Sequence, residues 1–70
     1  MTVTIGDWVW DEGFDMGAGA WLLEATWTDN EGALRSTMVI GTGGPDYSHS
    51  PAHTALCEQM LRDAIEHETA

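Results

Sequence analysis

Histidine and cysteine recur at four-residue intervals late in the chain, as His49, His53 and Cys57. Side chains four apart share one face of a helix, and imidazole with thiolate is a ligand set for Zn²⁺. Two features oppose that chemistry. His49 precedes Ser50-Pro51, an N-cap followed by a first helical residue, so it lies outside the helix. A fourth ligand would have to be Asp46 or His67, and the sequence brings neither near. Cys57 with His53 has the composition of a nucleophile and its base, but no third group orients the pair. Cys57 is therefore expected to be a small core residue, and the histidines polar surface or cap-region groups. Asp11-Glu12-Gly13-Phe14-Asp15 resembles a fragment of a calcium loop without its full ligand periodicity. Gly41, Gly43 and Gly44 do not fit a phosphate loop, and there is no lysine to serve one. The expectation is a chain without catalytic residues, metal or cofactor, and not an enzyme.

Length and charge direct attention elsewhere. Seventy residues make one domain near the small end of what folds alone. Hydrophobic residues are 43% of the chain, including four tryptophans, which is enough for a packed core and too many for a disordered tail. Twelve acids face two basic residues, Arg35 and Arg62, for a formal net charge of −10. Such a surface repels nucleic acid and anionic membranes and attracts basic surfaces. Cys57 is the single cysteine, so no internal disulfide is expected. No basic residue precedes Arg35, so a secretory n-region is missing, and no apolar run approaches spanning length. The expected location is the cytoplasm.

The elements that must carry these charges follow from periodicity. Residues 2–10 are β-branched and aromatic and read as a strand. Strict alternation would split Val3 and Ile5 from Trp8 and Trp10. A bulge at Gly6-Asp7 would put all four on one face and turn Asp7 outward. Residues 11–20 are a glycine-rich acidic loop. In residues 21–28, Trp21, Leu23, Ala25 and Trp27 alternate with Leu22, Glu24, Thr26 and Thr28, the signature of a half-buried strand. Asp29-Asn30-Glu31-Gly32 is a turn, with Gly32 suited to a positive φ. Residues 33–41 return as a strand with Leu34, Ser36, Met38 and Ile40 on the expected inner face. After a loop through residue 49, a helix runs from Pro51 to about residue 67. Its apolar stripe combines Leu56, Met60 and Ala64 with Cys57, Leu61 and Ile65. The expected fold is α+β: a three-stranded antiparallel β-meander followed by one C-terminal helix packed on one face, in the order β-β-β-α.

That topology sorts the acids. Asp11, Glu12, Asp15 and Asp46 gather at the end where the helix begins. Asp29, Glu31, Asp63, Glu66 and Glu68 gather at the end where it finishes. The second group opposes local stability, because a helix C-terminus favours cations, and each misplaced acid costs on the order of a few tenths of a kcal/mol. The candidate contact residues are Asp11, Glu12, Asp15, Asp29, Glu31, Asp63, Glu66 and Glu68.

In size, charge and compact α+β architecture the chain resembles the small acidic phage-encoded inhibitors of the anti-CRISPR class, some of which mimic DNA. No motif is shared, so no residue roles carry over. The resemblance implies binding to a CRISPR surveillance complex at its DNA-binding surface. From charge alone, the expected partner is a basic nucleic-acid-binding protein or complex, reached by carboxylates that arginine grips as it grips phosphate. Direct contact with nucleic acid or membrane is not expected, and the chain is expected to be a monomer or weak homodimer. The alternative is a halophilic or structural interaction module whose acids serve solvation.

Overall fold

The structure, a computed structural model, describes residues 2–69. It is an α+β fold in which a four-stranded antiparallel sheet carries one C-terminal helix. The strands are β1 (Val3–Ile5), β2 (Val9–Asp11), β3 (Ala20–Thr28) and β4 (Leu34–Gly41), and the helix is α1 (Pro51–Thr69). The central strand is β3. On one side it pairs with β1 and β2 lying end to end, and on the other with β4.

The fourth strand arises from a bulge. Ile5 is opposite Ala25, but Val9 is opposite Leu22. Three residues, 6–8, therefore face only two, 23 and 24, which is the one-residue excess that defines a bulge. Gly6 keeps its backbone bond to the Glu24 carbonyl at 3.0 Å, so the interruption is confined to Asp7 and Trp8. The expected single first strand is thus two short ones. The bulge has the effect anticipated for it: Val3, Ile5 and Trp8 all pack against the core, Trp10 lies opposite Trp21 on the same face, and Asp7 is exposed.

The core lies between β3 and α1. It contains Leu23, Ala25 and Trp27 from the strand and Cys57, Leu61 and Ile65 from the helix. Burying side chains of this kind contributes on the order of 1.5–3 kcal/mol for each large one. Helix and strand match in length: nineteen residues of α1 extend ~28 Å, and nine of β3 extend ~30 Å. Ser50 begins the helix as its N-cap, its Oγ accepting from His53 N at 3.1 Å.

Two assignments of facing are corrected. In β4, Val39 and Thr37 lie opposite Leu23 and Ala25, so the helix side takes Arg35, Thr37, Val39 and Gly41. Leu34, Ser36, Met38 and Ile40 point to the open face and are exposed. The reason is turn chemistry. Asp29 Oδ1 accepts from both Glu31 N and Ala33 N at 2.9 Å, and Asp29 N donates to the Ala33 carbonyl. This loop pairs Thr28 with Leu34, and side-chain facing follows register. In α1, Cys57, Leu61 and Ile65 are buried, while Leu56, Met60 and Ala64 are exposed. The two rows are offset by one residue, ~100° around the helix, so when Cys57, Leu61 and Ile65 face the sheet the row of Leu56, Met60 and Ala64 turns away from it.

Candidate functional site

The end of the sheet where α1 begins holds an aromatic cluster. Trp8 stacks on His49, with centroids 3.9 Å apart and planes 10° from parallel. His53 lies parallel to both rings at longer range. Tyr47 and Trp21 meet His49 edge-on, and Trp10 meets Trp21 at 5.5 Å. Trp8 Nε1 donates to Thr54 Oγ1 at 3.0 Å, tying the bulge to the helix. Trp21 Nε1 donates to the Gly44 carbonyl at 2.7 Å. Glycine makes the room: a Cβ on Gly41 would lie 2.5 Å from the Trp8 ring and 2.8 Å from His49 Nε2. His49 and His53 thus lie in the helix cap region, as one of the two expectations had it, but as half-buried stacking groups and not surface polar ones. A Cβ on Gly43 would likewise meet the Tyr47 ring, yet in the sequence these glycines carried no sign of the rings packed on them.

The cluster explains the histidine–cysteine spacing. His53 Nε2 lies 3.7 Å from the buried Cys57 Sγ, while the His49 ring is held against Trp8. Among the described residues, no group of three or more His, Cys, Asp or Glu side chains is placed to hold a metal ion.

The acids divide between the two ends. Asp11 closes β2, and Glu12 and Asp15 lie in the exposed loop that follows. Asp11 Oδ1 accepts from Gly13 N at 3.0 Å, so that carboxylate also shapes its loop. In the same loop Asp15 and Met16 adopt positive φ of 54° and 59°, a conformation costly for side chains other than Gly, Asn and Asp. Asp46 is exposed in the β4–α1 loop.

At the far end, a cleft of about 210 Å³ is lined by Trp27, Asp29, Asn30, Glu31, Arg35 and Glu68. Arg35 spans it, with Nε 3.0 Å from Asp29 Oδ2 and one terminal nitrogen 3.2 Å from Glu68 Oε1. The Ala33 backbone N–H and the Arg35 guanidinium hold the Asp29 carboxyl below its ordinary range. The hydrogen bond to Asp29 raises Arg35 in turn. Asp29 is only 14% exposed, so it organises the hairpin. Glu31 and Glu68 remain exposed, as do Asp63 and Glu66 on the helix. Gln59 Nε2 donates to Asp63 Oδ1 at 2.8 Å. The helix has no acid in its first turn and, beside His67, carries Asp63, Glu66 and Glu68 in its last turns, an acid placement opposite to what its dipole favours.

The third surface is the open face of the sheet, opposite the helix. Val9, Leu22 and Ile40 form one cross-strand row. Met38 follows, opposite Glu24. Val9, Met38 and Ile40 are 60%, 46% and 57% exposed. Sequence reasoning missed this surface because it assigned Met38 and Ile40 to the interior.

No family model matches the chain, and no curated protein or solved structure shows significant similarity to it. No helix among the described residues is long and apolar enough to cross a membrane.

Proposed function

We propose that this protein is an acidic inhibitor that occupies the basic nucleic-acid-binding surface of a partner protein. The specific form of that proposal is an anti-CRISPR protein that blocks target DNA binding by a surveillance complex. The observation that carries it is the sorting of charge. Residues 32–45 contain no Asp or Glu, while acids gather at both ends of a slab 38 Å long and 16 Å thick. Arg35, one of the two basic residues, sits between Asp29 and Glu68 and locally offsets that pair, so the net charge of −10, which counts it, rests on the other acids.

Magnitude limits how far this resembles DNA. A duplex 38 Å long carries about 22 phosphate charges, so a net charge of −10 is a little under half that density. Such a protein competes for basic side chains by placing carboxylates in groups, with bidentate arginine contacts to compensate for lower overall charge. Glu31, Asp63, Glu66 and Glu68 at one end, and Glu12, Asp15 and Asp11 at the other, are the groups offered. Asp29 holds the first group in place and contributes less to contact.

The test is a competition. A purified DNA-binding surveillance complex is titrated with the protein, and target-DNA binding is followed by gel shift. The expected result is loss of DNA binding, and loss of protein binding when the complex is first saturated with DNA. Equal affinity for the DNA-loaded and the free complex would overturn the proposal.

A further inference from the structure

The acids bring the partner in, but long-range charge does not fix where two surfaces close. Interfaces are held by a dehydrated apolar centre inside a polar rim, and one surface of this molecule has that anatomy. Val9, Leu22 and Ile40 stand side by side across the open face, a row ~10 Å wide at ordinary strand spacing, and Met38 extends it along β4. The row beyond Met38, Thr4, Thr26 and Ser36, is polar and separates this patch, near the first acidic end, from the lone exposed Leu34 at the other. Exposed acids border it: Asp11 follows Val9 on the same face of β2, Glu12 continues into the loop, Glu24 lies opposite Met38, and Asp7 stands out at the bulge. Asp7 and Glu24 have no role in the proposed function as drawn so far.

Resting on that proposed function, we infer that this row is where the basic partner docks. Its occupant is an apolar side-chain cluster bordered by arginine or lysine, matching the acid-bordered apolar row in both respects. Charge decides between this occupant and a second copy of the chain. A two-fold contact sets one patch against itself, which would bring the acidic border of one copy, Asp11, Glu12 and Glu24, close to the acidic border of the other in a molecule of net charge −10. Within a Debye length of ~8 Å at physiological salt that repulsion is unscreened. A basic rim reverses its sign. The exposed pair Leu56 and Met60 on α1 belongs to no comparable row.

The experiment uses two peptides as probes. One alternates Arg and Val over about ten residues, the length of β3. The other alternates Arg and Ser at the same length and charge. Binding to the ¹⁵N-labelled full chain is followed by NMR at about 0.15 M salt. The Arg-Val peptide should bind roughly tenfold tighter, the worth of burying one apolar side chain, and should shift the amides of Val9, Leu22, Met38 and Ile40. The advantage should vanish in the variant carrying Met38→Thr and Ile40→Thr, whose melting temperature reports that it is still folded, since both positions are exposed. Equal affinity of the two peptides, with both lost on Asp11→Asn, Glu12→Gln and Glu24→Gln, overturns the apolar contact while leaving the acidic-inhibitor proposal intact. Failure of the Arg-Val peptide to bind overturns the docking surface. So does light scattering that shows a dimer abolished by the Thr variant, because it identifies the second copy as the occupant.

Discussion

Trp8 and His49 lie ring on ring, centroids 3.9 Å apart, and both lean on the bare backbone of Gly41. Trp8 stands at the bulge, His49 just before the helix, and Gly41 at the end of β4. One stack therefore fixes three segments distant in sequence. It also sets the path of the loop carrying Asp46 and the position from which α1 starts. The geometry of the first acidic end depends on it.

Replacing Gly41 with Ala tests that dependence. The added Cβ would stand 2.5 Å from the Trp8 ring, so the stack must move. Overpacking of this kind costs about 1–3 kcal/mol. Chemical denaturation should show that loss, and near-ultraviolet circular dichroism should show an altered tryptophan signal. Gly44→Ala, where a Cβ meets nothing within 4 Å, serves as the control and should change neither.

Asp29 gives a prediction in pH. Its folded-state carboxyl titrates below the ordinary value of 3.8, so the folded state favours the charged form. The stability this contributes is present above the ordinary carboxyl range and is lost as pH falls through the lowered folded value. Asp29→Asn should therefore be less stable than the parent at pH 7. The gap should begin to narrow near pH 4 and close only as pH falls through the lowered folded value and the parent carboxyl protonates. Urea unfolding at a series of pH values measures this. A gap that persists unchanged at the lowest pH would remove Asp29 from its role as the charged anchor of the hairpin.

The sequence made much of this legible and misplaced particular parts. The alternation of Trp21, Leu23, Ala25 and Trp27 located β3 and its buried face. Ser50-Pro51 located the helix start, and the 29–32 turn put Gly32 at a φ of +84°. The split of Val3 and Ile5 from Trp8 and Trp10 pointed to the bulge, because four large apolar residues share a face only if one residue is extra. The facing of β4 was not legible, because its exposed residues Leu34, Met38 and Ile40 are more apolar than Arg35, Thr37 and Gly41, which share the helix side with Val39. Register was decided by the Asp29 carboxylate bonding to Glu31 N and Ala33 N, a side-chain effect that hydrophobic pattern does not encode. The same mistake hid the open face. Placement of the acids at two ends followed from topology, but the use of Asp29 within the hairpin did not. The aromatic stack was invisible because the glycines at 41, 43 and 44 read only as a loop.

Salt separates the inhibitor from the solvation alternative. A protein whose acids exist to hold water in brine unfolds when salt is removed. This one has an uncharged core of Leu23, Ala25, Trp27, Cys57, Leu61 and Ile65 and should melt cooperatively in buffer without added salt. Added sodium chloride should raise its melting temperature by a few degrees, as screening relieves self-repulsion. An unfolded far-ultraviolet spectrum in low salt would favour the solvation reading.

The central claim is that the two carboxylate groups are the working part of the molecule. The most direct measurement replaces each group with its amides, one end at a time: Asp11→Asn, Glu12→Gln and Asp15→Asn, or Glu31→Gln, Asp63→Asn, Glu66→Gln and Glu68→Gln. Shape is kept and charge removed, and inhibition of the partner's DNA binding is then titrated. With a charge-assisted contact worth about 1.5–3 kcal/mol, losing even one or two should weaken inhibition by at least tenfold for each end that makes contact. Undiminished inhibition by both folded variants would contradict the account.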